Sequence, residues 1–174
     1  MRLIKILCVL LLVTSCATVQ VNYDYEIKYD FSQCKTYNYY SDLETGLSVL
    51  DQKRLISQLD EQLSTLGFSL SNTPDFYINI TSSQYEEVRR SSVSVGAGTG
   101  GRNVGGGVSV GFPVGTPKMN RRIIFDFHDE DSIGLFWQAV AQSSFNSNAS
   151  PEKRETNLKA IVAKVLEGFP PKKE

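Results

Sequence analysis

Alternating apolar and polar positions mark five stretches of the chain as β-strands. In residues 17–29 the odd positions are mostly apolar or aromatic and the even positions are polar, which is the period of a half-buried strand. The same alternation predicts further strands at residues 35–40, 76–88, 121–128 and 135–145. In the last strand, the predicted inward face consists of Leu135, Trp137, Ala139 and Ala141.

Two other stretches carry apolar residues at helical spacing. An i, i+4 stripe of apolar residues predicts a helix over residues 47–66 that ends at Gly67. The stripe consists of Leu55, Leu59, Leu63 and Leu66. The polar side chains expected in solvent are Asp51, Lys53, Asp60 and Glu61. The second helix begins at Ser150-Pro151, a typical N-cap and first-turn pair. Its apolar face consists of Leu158, Ile161, Val162, Val165, Leu166 and Phe169.

A glycine-rich segment at about residues 91–118 interrupts this pattern. Nine of the 13 glycines lie between Gly96 and Gly115, flanked by two short alternating pieces. Ordering glycine backbone costs extra conformational entropy, and few side chains here could compensate for it. We therefore expect a glycine-rich hairpin or loop inserted between core strands.

The order of elements predicts an α+β fold. One-faced strands and one-faced helices bury their apolar sides against each other, which gives a two-layer sandwich. We expect a largely antiparallel sheet with two amphipathic helices on one face. The chain has 174 residues, so the mature part, residues 16–174, is the length of a single domain.

The N-terminus has the composition of a secretory signal peptide. Arg2 and Lys5 precede an apolar run that is too short to span a bilayer as a mature helix. The run ends in Val13-Thr14-Ser15-Cys16, which resembles a bacterial lipobox. That resemblance implies removal of residues 1–15 and acylation of Cys16; the alternative is an ordinary signal peptide that ends near a cysteine.

Lipid on Cys16 would attach this protein to a membrane. Two or three acyl chains hold a protein firmly, whereas one binds only marginally. Ala17 rather than Asp follows Cys16, which favours the outer membrane of a Gram-negative bacterium, at its periplasmic face. Only a few residues separate Cys16 from the first predicted strand, so the domain is expected to sit close to the membrane.

Composition excludes several classes of function. The formal net charge of −1 gives no basic field for nucleic acid, and 41% hydrophobic residues are typical of a folded domain. With one His and three Cys, of which Cys8 leaves with the signal peptide, catalysis by a His-based triad has little support. The leftover Cys34 is predicted to be a small buried residue rather than a reactive thiol. We expect no enzymatic activity and no cofactor.

Two patterns resemble binding sites without completing them. Gly96, Gly98 and Gly101 match a dinucleotide-binding spacing, but more glycine follows where a helix must start. The other pattern is an acidic cluster around the single histidine. We interpret it as a polar turn, with a weak divalent-cation site as the alternative; its residues are Asp126, His128, Asp129, Glu130 and Asp131.

Two basic pairs flank the glycine-rich segment. Arg89-Arg90 and Arg121-Arg122 are interpreted as solvated strand ends, with contact to an anionic lipid, glycan or other partner as the functional alternative. The tyrosines of the first two strands are expected to contribute to the core more than to a ligand platform.

The chain resembles the domain of unknown function 4136 family of bacterial lipoproteins over roughly residues 19–171. The resemblance rests on short motifs in the same order: Asp30-Phe31-Ser32, Lys35-Thr36-Tyr37, Gly67-Phe68, Pro74-Asp75, Phe125-Asp126, Trp137 and Gly168-Phe169-Pro170-Pro171. It implies a lipid-anchored envelope domain and no assigned activity. We expect an interaction or structural module with an envelope protein partner; the alternative is a binding module for a small ligand, a glycan or a divalent cation.

Overall fold

The computed structural model describes residues 19–87, 92–97, 108–113, 118–130 and 133–172. The predicted signal peptide and Cys16 lie outside these residues. Eight strands are present in this part of the chain: β1 (Gln20–Tyr25), β2 (Thr36–Tyr39), β3 (Ser69–Leu70), β4 (Phe76–Glu87), β5 (Ser92–Ala97), β6 (Val108–Pro113), β7 (Lys118–Asp129) and β8 (Gly134–Ser144). The two helices are α1 (Val49–Thr65) and α2 (Pro151–Leu166).

Six strands form one mixed sheet in the order β1-β8-β7-β4-β2-β3. The pairs β1–β8, β8–β7 and β7–β4 are antiparallel, whereas β2 runs parallel to both β4 and β3. The parallel pairing follows from chain order, because α1 carries the chain back before β3 and β4 begin. The predicted α+β sandwich with a largely antiparallel sheet is confirmed.

Both helices bury their apolar stripes against one face of this sheet. Leu55, Leu59 and Leu63 of α1 are fully buried. The facing positions of the sheet are also buried: Ile78, Ile80, Ile123, Phe125, Phe127, Trp137, Ala139 and Ala141. In the part of the chain that the structure describes, no helix packs on the second face, which is called here the open face. No helix in the described residues is long and apolar enough to cross a membrane.

The predicted start of α2 is confirmed in detail, whereas α1 begins two residues later than predicted, after an N-cap at Ser48. Ser48 Oγ accepts a hydrogen bond from Asp51 N at 3.3 Å, and Ser150 Oγ accepts one from Lys153 N at 3.4 Å. Pro151 occupies the first turn of α2, where its missing N–H has no cost. At the other end of α1, Leu66 lies beyond the helix and is 47% exposed, so it does not belong to the buried stripe.

The predicted inward face of β8 needs one correction. Phe127 pairs with Trp137 but the next residue of β7, His128, pairs with Leu135, so Phe136 is the extra residue of a β-bulge. The bulge turns Phe136 into the core, where it is fully buried, and leaves Leu135 45% exposed. Strict alternation therefore fails at this one position.

The first strand is shorter and more exposed than predicted. In the described residues it covers Gln20–Tyr25 and ends four residues before the predicted end at residue 29, and Tyr23 and Tyr25 are 37% and 42% exposed. The reason is its place in the sheet, because β1 is an edge strand and has a neighbour on one side only. Tyr37 of β2, by contrast, is in the core.

The glycine-rich segment forms a hairpin of its own. Strands β5 and β6 pair only with each other, from Ser92↔Pro113 to Ala97↔Val108, and make a separate two-stranded sheet. This confirms the predicted hairpin for the backbone of residues 92–97 and 108–113.

Candidate functional site

The two arginines of β7 do not form one surface patch. Neighbouring residues on a strand point to opposite faces, so Arg122 lies exposed on the open face whereas Arg121 points toward the helices. Arg121 is only 7% exposed, which corrects the expectation of a solvated pair. The guanidinium of Arg122 lies 5.6 Å from the ring centre of Tyr85. The other predicted pair, Arg89-Arg90, lies outside the described residues.

Arg121 belongs to a buried charge cluster around Asp51. The Asp51 carboxylate is in contact with Nη1 of Arg54 at 3.0 Å, of Arg154 at 3.0 Å and of Arg121 at 3.6 Å. These residues come from α1, α2 and β7, so one carboxylate joins three elements. Asp51 is 1% exposed, which corrects its predicted place in solvent: the three guanidiniums compensate for the loss of water.

The cluster has more positive than negative charge. Burial lowers the pKa of Arg121, and the nearby Asp51 carboxylate opposes that shift. Arg121 lies 3.8 Å above the ring centre of Phe145, and its buried Nε has no hydrogen-bond partner. A cavity of about 30 Å³ adjoins Arg121 and Arg154, which is room for one or two water molecules. The polar groups here suit an anion better than a cation.

The acidic cluster considered for a cation is divided between two faces of the sheet. Asp126 and His128 lie on the open face, and Asp126 Oδ1 accepts a hydrogen bond from Gln138 Nε2 at 2.7 Å. Asp129 has the opposite parity and accepts a hydrogen bond from the Tyr29 hydroxyl at 2.9 Å. Within the described residues, no group of three His, Cys, Asp or Glu side chains is placed to hold a metal ion. Asp131 lies outside the described residues.

Cys34 is buried, as predicted, and its thiol is within 3.4 Å of the Tyr29 hydroxyl. Burial raises the pKa of the thiol, although the hydrogen bond with Tyr29 acts in the opposite direction. A thiol with a raised pKa is protonated at neutral pH and is a poor nucleophile. The geometry therefore gives Cys34 a packing role.

An open cleft that sequence reasoning missed lies where β2 ends beside the open face. Its volume is about 610 Å³ and it is lined by Tyr40, Asp42, Glu44, Asn79 and His128. The ring of Tyr40 stacks on that of Tyr77 at 5.1 Å and 25°. Partial burial and the Glu130 carboxylate together raise the pKa of Tyr40 to about 12.

The missed cleft had only a partial signal in the sequence. Tyr77 and Asn79 share the polar parity of β4 with His128 opposite them on β7, and this register is not visible in the sequence alone. Tyr40, which also lines the cleft, follows β2, and its contact with Tyr77 depends on the parallel pairing of β2 with β4. The strand pairing joins residues that are 39 positions apart, such as Tyr37 and Phe76, and has no local pattern in the sequence.

The fold defines the chain as a two-layer α+β domain. Comparisons with known proteins place the chain within a family. Residues 20–171 match the domain of unknown function DUF4136, so the chain belongs to that family. Among curated proteins, none matches the chain.

Solved structures share the fold at low sequence identity. A PDZ domain protein from Parabacteroides distasonis is 11% identical with a TM-score of 0.54, and the match covers 96% of this chain but 40% of that one. The PelC dodecamer from Paraburkholderia phytofirmans is 10% identical with a TM-score of 0.52, covering 90% of this chain and 100% of that one. A DUF4136 family protein from Bacteroides thetaiotaomicron is 10% identical over 87% of this chain and 96% of that one, with a TM-score of 0.49.

Proposed function

We propose that this chain is a lipid-anchored protein of the bacterial cell envelope that acts as a non-catalytic interaction module. In this proposal Cys16 carries the lipid and the domain sits at the periplasmic face of the outer membrane. The observation that carries it is the lipobox-like Val13-Thr14-Ser15-Cys16 placed only three residues before Val19, where the described domain begins. Three extended residues reach about 10 Å, which would hold the domain next to the lipid.

The open face supports the interaction role. Ile124 and Val140 pair across β7 and β8 in one row, with Thr81 and Asn22 on the strands beside them. The two aliphatic side chains are partly exposed and polar residues surround them, including Arg122, Asp126 and Gln138. A small apolar centre with a polar rim is the usual anatomy of a protein interface. The partner we propose is therefore a protein of the envelope.

The anchor is tested by mass spectrometry of the mature N-terminus and by cell fractionation. We expect an acylated Cys16 as the first residue, and we expect Cys16→Ala to leave the membrane fraction after a high-salt wash. Cys34→Ala is the matched control, because Cys34 is buried in the domain and its loss leaves the anchor intact. A Cys16→Ala protein that stays in the membrane fraction would contradict the proposal.

The partner is tested by photo-crosslinking in living cells. A photoreactive residue at Thr81, exposed on the open face, is expected to give a discrete crosslinked product with another protein. The same residue at Leu70, exposed on the edge strand β3, is the control for random contacts. No product from Thr81, or the same products from both positions, would count against an interface on the open face.

A second candidate function rests on the cleft beside Tyr40. Stacked tyrosine rings next to an amide and carboxylates are the groups that bind sugar rings and their hydroxyls. Calorimetric titration of the protein with envelope glycan fragments tests this candidate. We expect any binding to be lost in Tyr40→Ala and kept in Tyr25→Ala, which removes an exposed tyrosine of the edge strand β1 that does not line the cleft.

A further inference from the structure

The N-termini of both helices and the start of β1 lie at one end of the domain. Arg154 in the first turns of α2 contacts Asp51 in the first turn of α1, so the two helix starts are neighbours. Gln20, the first residue of β1, pairs with Gln142, and Gln142 pairs with Arg122. Strands are about 4.8 Å apart, so the start of the domain is about 10 Å from β7 and level with the helix starts.

The first turn of α1 exposes apolar side chains at this end. Val49 and Leu50 are 72% and 61% exposed. Lys53 follows Val49 by four residues, and Arg54 follows Leu50 by four residues. A basic side chain therefore lies beside each aliphatic one on the helix surface. Aliphatic residues next to long basic side chains are typical of protein surfaces that lie in the headgroup region of a membrane.

The charges at this end also suit an anionic surface. Lys153 and Arg154 add two basic groups from α2, against the acidic Glu152 and Glu155 of the same turns. Asp51 is already shared among three guanidiniums, and the buried Nε of Arg121 has no partner. The dipoles of the two capped helices add further positive potential at this end.

We propose that this end of the domain lies on the membrane and binds anionic phospholipid. The contacting residues, called here the helix-start surface, are Val49, Leu50, Lys53 and Lys153. Val49 and Leu50 enter the headgroup region, and the exposed Lys53 and Lys153 contact lipid phosphates, whereas Arg54 and Arg154 stay paired with Asp51. The inference rests on the proposed function, because lipid on Cys16 would hold this same end of the chain at the bilayer.

The helix-start surface predicts a fixed orientation of the domain. Helix α1 is about 25 Å long, so its far end and the edge strand β3 point away from the membrane. Leu70 of β3 and Leu135 after the β7–β8 turn are 53% and 45% exposed at that far end. They provide controls of similar hydrophobicity and exposure that the proposal places in water.

The experiment measures co-sedimentation of the unlipidated protein with vesicles. The protein starts at residue 16 and carries Cys16→Ser; every contact described above lies within residues 19–172, so the described domain is complete. Vesicles of phosphatidylcholine with phosphatidylglycerol are compared with vesicles of phosphatidylcholine alone. We expect binding only to the anionic vesicles, and about tenfold weaker binding for the double variant Val49→Ser/Leu50→Ser.

Two further variants complete the test. Lys53→Gln/Lys153→Gln is expected to weaken binding to anionic vesicles and to reduce its salt dependence. Leu70→Ser/Leu135→Ser is expected to bind like the parent protein. Thermal unfolding of each variant confirms that it is folded. Equal loss of binding in the far-end control, or no binding of the parent protein to either vesicle, would overturn the proposal.

The accessibility of a cysteine at position 50 to thiol reagents distinguishes contact with lipid from contact with a protein partner. The lipidated Leu50→Cys protein, with Cys34→Ala, is tested for thiol accessibility in native membranes and in vesicles of the extracted lipids. Shielding in both supports the membrane proposal, whereas shielding in native membranes alone shows a protein partner and overturns it. The vesicle assay uses unlipidated protein, so a failure of lipidation at Cys16, detected by mass spectrometry, is distinguished from a failure of this inference.

Discussion

Arg154 and Asp51 are 103 residues apart in the sequence, yet Nη1 of Arg154 lies 3.0 Å from Oδ2 of Asp51. This contact joins the first turns of the two helices above the sheet. Arg154 also donates Nε–H to the carbonyl of Ala149 at 3.1 Å and contacts the carbonyl of Ser147. The start of α2 is therefore fixed to α1 and to the chain that leads into the helix.

Removal of the Asp51 carboxylate is expected to destabilise the domain strongly. In Asp51→Ala three guanidiniums, one of them 8% exposed, lose the carboxylate that they share. Breaking a buried ion pair from one side costs about 3–5 kcal/mol, because the remaining charge is uncompensated. Urea unfolding measures the change.

The stability cost of Arg54→Gln is compared with that of Asp51→Ala. Arg54 is more exposed than Arg121, and its loss leaves Asp51 with two guanidinium partners. We expect a cost of about 1 kcal/mol or less. Equal costs for the two variants would show that the cluster does not act through the buried carboxylate.

Gly168 is expected to tolerate no larger residue. A Cβ at this position would lie 2.8 Å from Cζ of Tyr23 and still closer to two other ring atoms. Tyr23 itself is held, because its hydroxyl donates a hydrogen bond to the carbonyl of Lys164. Gly168→Ala should therefore lower the free energy of unfolding by about 1–3 kcal/mol, as measured by thermal or urea unfolding.

The double variant Tyr23→Ala/Gly168→Ala tests the cause. If the ring is what excludes a Cβ, the cost of Gly168→Ala should be much smaller in the Tyr23→Ala background. Gly67→Ala is a control of another kind, since a Cβ there meets no atom within 4 Å and only its φ of +91° is unfavourable. Additive costs for Tyr23 and Gly168 would refute the steric explanation.

Asp75 is expected to give the domain part of its stability above pH 4. Its Oδ2 accepts hydrogen bonds from Thr36 N at 2.8 Å, Lys35 N at 2.9 Å and Thr36 Oγ1 at 2.9 Å. Partial burial acts to raise the pKa of Asp75, but these hydrogen bonds outweigh it and lower the pKa below its ordinary value of 3.8. This contribution is present above the unfolded pKa and is lost as the pH falls through the folded pKa.

Asp75→Asn is therefore expected to cost about 1 kcal/mol at pH 7 and much less below pH 3, as measured by urea unfolding across that range. Asp24→Asn, on the exposed edge strand β1, is the matched control and should change little at any pH. A cost for Asp75→Asn that does not depend on pH would show that the carboxylate charge is not what stabilises the start of β2.

The glycine-rich hairpin is expected to be dispensable for folding. Strands β5 and β6 form a sheet separate from the six-stranded one. Replacing residues 96–107 by a short Asn-Gly turn shortens a loop, and loop-closure entropy changes by only about 0.6 kcal/mol per doubling of length. Thermal unfolding should show similar or higher stability.

A melting temperature that falls by more than about 4 °C would correspond to more than about 1 kcal/mol in a domain of this size and would show that the segment packs into the domain. Loss of the Thr81 crosslink in the same folded variant would instead make the segment part of the partner surface. An unchanged crosslink leaves the open face of the sheet as the complete interface.

Local patterns were sufficient for most elements of this fold. The stripe Leu55, Leu59 and Leu63 predicted the buried face of α1, and Ser150-Pro151 predicted the first turn of α2. Alternation predicted which positions of β4 and β7 face the core. These features depend on helix and strand periods and on capping groups, all of which act within a few residues.

Sites built from distant residues were beyond local patterns. Asp51 looked like a solvated helix residue, and only the packing of α1, α2 and β7 shows that it is buried among three arginines. The Tyr40 cleft likewise depends on the parallel pairing of β2 with β4. Such contacts have no periodic signal because each partner comes from a different element.

The sequence by itself determined the α+β class, the start of α2, the glycine hairpin and the lipobox-like motif, because each is set by neighbouring residues. Tertiary structure decided the sheet order, the exposure of β1, the inward turn of Phe136 at the β-bulge and the separation of Arg121 from Arg122. Burial is a property of the whole packed chain, so an arginine pair that is identical in local sequence can divide between a buried charge cluster and an open face.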